Sequence, residues 1–182
     1  MSIKVIETKL NDVYIIEPTV HYDDRGYFLE TYNYADMIKA GIVTNFVQDN
    51  HSLSSKGVLR GMHFQKQHPQ AKLIKITNGE VLDVVVDYRR TSSTFGQYIS
   101  ILLSEENKKQ LYIPTGCAHG FLVLSETAEF SYKCSDFYYP NDQGGFIWDD
   151  PDINIAWPIT QDMNIILSDK DQKLPRFKEC NF

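Results

Sequence analysis

The stretch AKLIKITNGEVLDVVVDY, Ala71 to Tyr88, carries the clearest local folding signal in the chain. Two runs of strand-forming residues flank Asn78 and Gly79. Both residues of a tight hairpin turn must tolerate positive φ, and an Asn-Gly pair meets that requirement well. The stretch therefore predicts two strands joined at these residues, and we expect the two strands to be antiparallel neighbours.

Strand-like segments bounded by turn residues continue on both sides of this stretch. Upstream they are DVYIIE, GYFLETY, TNFVQDNHS and GVLRGMHFQ, the last two around a hairpin-like loop SLSSKG. Downstream they are GQYISILL, KKQLYIP, HGFLVLS and AEFSYKCSDFYY. One early helix is predicted at YADMIKAG, Tyr34 to Gly41, because it is about two turns long and ends on glycine. From Pro140 the pattern favours loops and a terminal short helix or arm.

This pattern predicts an all-β fold. About ten short strands, few helices and no strand–helix alternation favour a double-stranded jelly-roll barrel with a few short helices. A length of 182 residues is sufficient for one core, and no linker or repeat interrupts the chain, so we expect one domain, residues 1–182. Polar residues inside apolar strands are expected to line a pocket between the sheets.

The charge and cysteine patterns exclude some classes of protein. A net charge of −6 argues against nonspecific binding to nucleic acid, although a local basic patch can still bind an anionic small ligand. Cys117, Cys134 and Cys180 are scattered, which indicates reduced thiols and a cytoplasmic protein. The amino terminus alternates charged and apolar residues, and no apolar run is long enough for a membrane span, so neither a signal peptide nor a membrane association is expected.

Candidate chemistry lies in GVLRGMHFQ, where polar side chains interrupt an apolar strand. On a regular strand His63 and Gln65 face one side and Arg60 the other, unless a bulge intervenes, and Gly61 is a plausible bulge site. A single histidine in such a strand is more often a hydrogen-bonded structural residue than a catalyst. Other strands, however, carry further polar side chains: Lys72, Lys75, His119, Tyr132 and Lys133.

The segment IPTGCAHGF resembles the second motif of the cupin superfamily, in which a Pro-x-Gly-x-x-His loop re-enters a small jelly roll. Metal-binding cupins also carry His-x-His in the first motif, followed by a carboxylate. Here Gln65 takes the place of the second histidine, and Lys72 lies where an acidic ligand is sought. Because a lysine ammonium has no lone pair and repels a divalent ion, no metal site is expected.

Five segments together resemble the dTDP-4-dehydrorhamnose 3,5-epimerase family, dTDP being deoxythymidine diphosphate. In chain order they are FVQDNHS, GVLRGMHFQ, GEVLDVVVDYRRTSSTFGQY, IPTGCAHGFLVLSETAEFSYKCSDFYYP and WDDPDINIAWP. The resemblance implies a cupin-type fold and an isomerase that epimerises C3 and C5 of dTDP-4-keto-6-deoxy-D-glucose in dTDP-L-rhamnose biosynthesis. Each inversion needs a base, a group that holds the enolate oxygen, and an acid on the opposite face. No cofactor is expected, because the substrate's ketone is the electron sink.

The resemblance implies four catalytic residues. His63 is the expected base, since a histidine's ordinary pKa of about 6.5 suits that role near neutral pH. Asp171 is the carboxylate expected to orient it, the alternative being an exposed charge in the tail. Tyr132 is the expected acid, with its pKa lowered by nearby lysine, the alternative being an aromatic core residue. Lys72 is expected to stabilise the enolate.

The resemblance also implies a set of dTDP-sugar contacts. Arg25, Arg60 and Lys170 are expected near the diphosphate, Tyr138 on the thymine ring and His119 near the sugar. Positions expected to contact the base and the sugar are Glu30, Gln48 and Asn50. Members of the family form homodimers with exchanged amino-terminal strands, which would carry Arg25 and Glu30 into the neighbour's pocket.

Two departures from the family's pattern affect this pocket. Gln143, a further expected substrate contact, and Gly144 stand where an acidic residue and an arginine are frequent. Cys117 replaces a residue that is often aromatic. The alternatives that the sequence leaves open are a C3-only epimerase, an epimerase of a related keto-deoxy sugar nucleotide, a non-catalytic sugar-nucleotide-binding cupin and a metal-dependent cupin oxygenase.

Overall fold

A computed structural model describes residues 2–182, so Met1 of the expected 1–182 domain lies outside the described residues. The strands are β1 Ile3–Glu7, β2 Tyr14–Pro18, β3 Val20–Asp23, β4 Gly26–Leu29, β5 Gln48–Ser55, β6 Leu59–Gln65, β7 Lys72–Asn78, β8 Glu80–Asp87, β9 Tyr98–Ser104, β10 Gln110–Ile113, β11 Cys117–Val123, β12 Thr127–Cys134 and β13 Gln143–Gly145. The helix α1 spans Tyr34–Lys39, and two 3₁₀ helices span Asp171–Lys173 and Phe177–Glu179.

Two antiparallel sheets form the body of the fold. One has six strands in the order β1-β2-β10-β7-β12-β5, and the other has five in the order β13-β6-β11-β8-β9. The main core lies between them, with Ile74 and Phe130 of the first sheet packed against Val85 and Phe121 of the second. Burial of these apolar inner faces holds the sheets together. The predicted all-β jelly roll with a few short helices is confirmed.

The predicted pairing across Asn78 and Gly79 is wrong. β7 pairs with β10 and β12, whereas β8 pairs with β9 and β11 in the other sheet. Gly79 does adopt φ +77°, and a Cβ there would lie 2.1 Å from the Thr127 carbonyl oxygen. The turn chemistry was identified correctly, but the turn passes the chain from one sheet to the other, because both edges of each strand have other partners.

The expected hairpin-like loop at SLSSKG also joins strands of different sheets and does not join two paired strands. Its serines belong to the end of β5, which lies in the six-stranded sheet, while β6 lies in the five-stranded one. β8 also has two buried faces: Val85 faces the main core, and Val84 packs against Phe146, Ile155 and other residues that follow β12. The segment after β12 therefore covers the outer face of the five-stranded sheet.

The bulge predicted at Gly61 is confirmed. His119 of β11 is paired with His63, and Phe121 with Arg60, so β6 has one extra residue between these pairs. Gly61 adopts φ +130°, and a Cβ there would lie 2.5 Å from the Gly120 Cα. A bulge shifts the alternation of side chains along a strand. Arg60 and His63 consequently line the same cavity.

The end of α1 and the state of the cysteines agree with the sequence-based expectations. Gly41 follows α1 with φ +85°, which confirms the glycine at the carboxyl end of the predicted helix. The three cysteines are free and buried, as expected of reduced thiols. Within residues 2–182, the helices have neither the length nor the hydropathy of a membrane span.

Candidate active site

A cavity of about 410 Å³ lies between the two sheets and is lined by side chains of both. β6 and β11 of one sheet and β5, β7 and β12 of the other provide most of the inward-facing polar groups. The predicted site residues among the lining are Asn50, Arg60, His63, Lys72, His119, Tyr132, Tyr138 and Gln143. The sheets thus bring together residues that are widely separated in the sequence.

His63 and Asp171 form a hydrogen-bonded pair at this cavity. His63 Nε2 contacts Asp171 Oδ1, while 26% of the His63 side chain stays exposed. Asp171 begins the first 3₁₀ helix and is only 3% exposed, so it is not the exposed tail charge of the alternative interpretation. Its backbone N–H donates to Ser168 Oγ at 3.1 Å, which fixes the turn that presents the carboxylate.

The WDDP motif anchors the segment that carries Asp171. Asp150, the second aspartate of the motif, is 1% exposed, and its Oδ2 accepts a 2.8 Å hydrogen bond from the backbone N–H of Phe177. Its Oδ1 accepts from the backbone of Asp152 and Ile153. In the sequence, this motif served only as evidence of the family resemblance, and no structural role was predicted for it. In the fold, its carboxylate ties the carboxyl-terminal segment to the loop after β13.

Lys72 and Tyr132 lie on the wall opposite His63, in the six-stranded sheet. Lys72 Nζ is 5.8 Å from the centroid of the Tyr132 ring. Burial lowers the pKa of Lys72 and raises the pKa of Tyr132. The expectation that a nearby lysine lowers the tyrosine pKa is wrong: burial outweighs the neighbouring charges, and the cation that opposes it is Arg60. Tyr132 is therefore a protonated phenol near neutral pH.

Asp83, which sequence reasoning missed, lies on β8 in the same sheet as His63. It is fully buried, its Oδ2 is 2.9 Å from His119 Nε2, and its Oδ1 has no hydrogen-bond partner among the described residues. Burial raises the pKa of Asp83, while His119 and Lys72 oppose that shift. Burial also lowers the pKa of His119, which favours the neutral imidazole. The available signal was the position of Asp83 inside the apolar run VLDVVV, residues 81–86.

Tyr138 lies at the mouth of the cavity, where it is hydrogen-bonded to polar side chains. The residue is 48% exposed. The Tyr138 hydroxyl donates to Gln143 Oε1 at 2.8 Å, and its backbone N–H donates to Gln48 Oε1 at 3.0 Å. Gln48 in turn donates to Asn50 at 3.0 Å. Gln48 does not itself line the cavity, but it contacts two residues that do, Asn50 and Tyr138.

A second cavity, of about 400 Å³, adjoins the first at His63 and Gln143. Lys170 and Lys173 lie on its wall together with Asp171. The predicted contact Lys170 therefore lies beside the His63–Asp171 pair, although it does not line the main cavity.

Arg25 and Glu30 are not brought to the cavity of their own chain. Arg25 occupies the turn between β3 and β4 and pairs with Asp23, and Glu30 follows β4 and accepts a hydrogen bond from Asn33. The β3–β4 hairpin forms a two-stranded sheet separate from the main sheets.

The departures from the family's pattern have local explanations. Gly144 of β13 packs on Phe64, since a Cβ there would lie 2.7 Å from the Phe64 ring. Cys117 lines the cavity, and burial raises its pKa to about 12, so it is a neutral part of the wall. Within the described chain, no group of three His, Cys, Asp or Glu side chains is placed to hold a metal ion.

Comparisons of sequence and of structure with known proteins point to the same family. A family model described as dTDP-4-dehydrorhamnose 3,5-epimerase matches residues 7–179. The dTDP-4-dehydrorhamnose 3,5-epimerase of Escherichia coli K12 is 51% identical over 172 residues, which cover 93% of this chain and 92% of that protein. The crystal structure of the enzyme of that name from Elizabethkingia anophelis has a TM-score of 0.94 and 50% identity, and all of both chains is covered. A Legionella pneumophila dTDP-6-deoxy-D-glucose-3,5-epimerase in complex with dTDP-4-keto-L-rhamnose has a TM-score of 0.95 and 43% identity, covering 98% of this chain and 95% of that one.

Proposed function

The chain belongs to the dTDP-4-dehydrorhamnose 3,5-epimerase family, and on that premise we propose how its cavity inverts C3 and C5 of dTDP-4-keto-6-deoxy-D-glucose. The protein is an isomerase, a carbohydrate epimerase of dTDP-L-rhamnose biosynthesis. The observation that carries the proposed mechanism is the position of the His63–Asp171 pair on one wall of the cavity and of Lys72 and Tyr132 on the other.

His63 is the proposed base. In its neutral form, an Nε2–H donated to Asp171 leaves the lone pair on Nδ1, which accepts the proton α to the ketone. The carboxylate then stabilises the imidazolium that forms. Since C3 and C5 both flank C4, one base can act on each carbon in turn if the sugar ring shifts between the two steps.

Lys72 and Tyr132 complete the proton transfers in this proposal. The Lys72 ammonium holds the enolate oxygen, a role that typically lowers a barrier by roughly 3 kcal/mol. Tyr132 returns a proton from the face opposite His63, and its burial keeps the phenol protonated until it is needed. The substrate's ketone accepts the electron pair, so the mechanism uses no cofactor.

Asp83→Asn is expected to lower kcat and to move the alkaline limb of its pH profile to lower pH. Burial lowers the pKa of Lys72, and the negative charges of a Cys134 thiolate and of the Asp83 carboxylate oppose this shift. Removing the carboxylate lets the pKa of Lys72 fall further, so the ammonium is lost at a lower pH. The measurement is kcat from neutral to alkaline pH. Asp49→Asn, which changes an exposed carboxylate paired with Lys133, is the control and should leave the limb in place. An unshifted limb in Asp83→Asn would contradict the role of Lys72.

The nucleotide is proposed to lie across the cavity mouth. Tyr138 stacks on the thymine ring, held by its bonds to Gln48 and Gln143, and Asn50 contacts the nucleotide beside them. Arg60 and Lys170, on either side of His63, bind the diphosphate, and His119 binds the sugar. Arg60 donates one hydrogen bond to Ser54 Oγ at 3.0 Å, which leaves other guanidinium donors for phosphate oxygens.

The functional unit is proposed to be a homodimer in which the β3–β4 hairpin enters the neighbour's sheet. The hairpin exposes Tyr22 at 71%, Tyr27 at 58% and Phe28 at 68%, a cluster of apolar surface that contact with a partner would cover. It also carries Arg25, and Glu30 follows it, and neither reaches the cavity of its own chain. Strand exchange would supply both residues to the partner's site.

A complementation experiment tests the exchange. Arg25→Ala and His63→Ala are each expected to have low activity, but a heterodimer of the two should recover about half of the wild-type activity, because one of its two sites receives both residues intact. The two variants can be co-expressed with different affinity tags and the heterodimer purified. A heterodimer no more active than its parents would show that Arg25 acts within its own chain or not at all.

The reaction itself is tested with purified protein and dTDP-4-keto-6-deoxy-D-glucose, the product being identified by NMR. We expect dTDP-4-keto-L-rhamnose. A product inverted at C3 alone would select the C3-only epimerase, and binding without turnover would select the non-catalytic cupin. A stoichiometric metal on which turnover depends would contradict the mechanism. The cytoplasmic location and the single domain stay predictions.

A further inference from the structure

Gln65, the last residue of β6, has a buried amide whose partners are all backbone groups. The residue is 6% exposed, and its Nε2 donates to the carbonyl oxygens of His68 at 2.7 Å and Phe137 at 3.2 Å. Its Oε1 accepts from the backbone N–H of Tyr139 at 2.8 Å. Both amide hydrogens and one oxygen lone pair are therefore in use. An amide committed in this way is not free to take the place of a metal ligand.

Two of these three partners lie immediately before and after Tyr138 in the chain. The Phe137 carbonyl and the Tyr139 N–H belong to the peptide groups that flank Tyr138 on either side. The N–H of Tyr138 itself donates to Gln48 Oε1. The backbone under the Tyr138 ring is thus held from three consecutive residues by two glutamine side chains.

Gln65 and His68 lie where β6 passes into its following loop, and Tyr138 lies in the loop after β12. Other contacts also join these two loops, but they do not involve Tyr138 or the residues next to it in the chain. Asp142 accepts hydrogen bonds from the backbone of Gln67 and His68, and Ser135 Oγ accepts one from the backbone N–H of Ala71 at 2.8 Å. These contacts keep the loops together when Gln65 is replaced. They allow the contribution of Gln65 to Tyr138 to be separated from the general folding of this region.

We propose that Gln65 is a positioning residue that fixes the Tyr138 ring for nucleotide binding, acting through the backbone on both sides of that ring. The inference rests on the proposed function, in which Tyr138 stacks on the thymine. A half-exposed ring on an unanchored loop must be ordered when the ligand binds, and that ordering reduces affinity. The three hydrogen bonds of Gln65 order the loop in advance. Because these bonds involve none of His63, Lys72 or Tyr132, the proton-transfer steps do not depend on them directly.

The test is Gln65→Met, which keeps the size of the side chain but removes its donors and acceptor. We expect the Kd for dTDP and the KM for the keto sugar nucleotide to rise about tenfold, with kcat within about twofold of wild type. Calorimetry with dTDP gives Kd, and initial rates give KM and kcat. Ser135→Ala is the matched control, because it removes a hydrogen bond between the same loops away from Tyr138, and its Kd should be unchanged.

A double variant connects the effect to Tyr138. Tyr138→Ala alone should raise the Kd for dTDP, and adding Gln65→Met to it should raise Kd little further, since the two changes remove one interaction. Additive losses would contradict a role exerted through Tyr138. An unchanged Kd in folded Gln65→Met, or a loss of kcat with unchanged KM, would overturn the proposal.

Gln65→Glu keeps the proposal testable if the methionine variant fails to fold. It retains an acceptor for the Tyr139 N–H but turns an oxygen toward the carbonyls of His68 and Phe137. Its Kd for dTDP should exceed that of wild type, and the ratio should shrink at acidic pH, where the protonated carboxyl can donate. A ratio near one at every pH would overturn the proposal. Failure of the proposed function is a separate result: the wild type itself would not bind dTDP or turn over.

Discussion

His63→Ala is expected to reduce kcat for epimerisation at least about a thousandfold, while the Kd for dTDP stays close to that of wild type. The substitution removes the imidazole whose Nδ1 accepts the α-proton, and Asp171 is left without its partner. The nucleotide contacts around Tyr138 do not involve His63. The measurement is the rate of product formation by NMR, with calorimetry of dTDP binding on the same sample.

The binding measurement is the control for this variant. Loss of both activity and binding would indicate a damaged fold, which circular dichroism would detect, and the variant His63→Asn would then replace it. A folded His63 variant that binds dTDP and still turns over at the wild-type rate would contradict the assignment of the base.

Tyr132→Phe is expected to reduce epimerisation about a hundredfold or more but to leave hydrogen exchange at the sugar in place. The phenol is needed only to return a proton on the face opposite His63. Without it, the enolate forms and His63 returns a proton to the original face, so the unconverted substrate becomes labelled in D₂O. The 26% exposure of the His63 side chain allows its proton to exchange with solvent.

The measurement for this variant is the ratio of label in remaining substrate to product formed, followed by NMR over time. We expect a much higher ratio than in wild type. Tyr112→Phe provides a control phenol, since Tyr112 lies in the core cluster with Ile16 and Met37 and bonds to Thr44. Equal losses of exchange and epimerisation in Tyr132→Phe would contradict an acid role confined to the second step.

The sequence predicted those parts of the site that depend on strand periodicity and local backbone chemistry. Gly61 in an apolar strand indicated a bulge, and the bulge brings Arg60 and His63 to one cavity. The family's motifs identified Lys72 and Tyr132, and both strands turn these residues toward His63. The bulge follows from residue type and spacing within a single strand, whereas the roles of Lys72 and Tyr132 follow from the resemblance to the family.

Features set by non-local competition could not be predicted in this way. Asn78 and Gly79 were correctly assigned to a turn, but turn chemistry does not specify whether the joined strands pair or enter opposite sheets. The pKa of Tyr132 rises rather than falls, because burial is a property of the assembled cavity. Gln65 was noted only as a polar strand residue in the place of a metal ligand, since two of its three partners lie on a loop some seventy residues further along the chain.

The buried carboxylates show the same limit. Asp83 and Asp150 each occur in a short pattern that is compatible with many roles. Their partners, His119 for one and the Phe177 backbone for the other, are identified only when the strands and the carboxyl-terminal segment are assembled. A sequence can mark such residues as unusual, but their function depends on distances that only the fold sets.

The central claim is that one solvent-exchanging base removes the protons at C3 and C5 and that new protons arrive on the opposite face. The most direct measurement is NMR of the product formed by the wild-type protein in D₂O. Deuterium at both C3 and C5 of dTDP-4-keto-L-rhamnose is the predicted result. Conversion to that product without deuterium at either carbon would contradict the claim, because the hydrogens would then have moved without exchange through His63 and Tyr132.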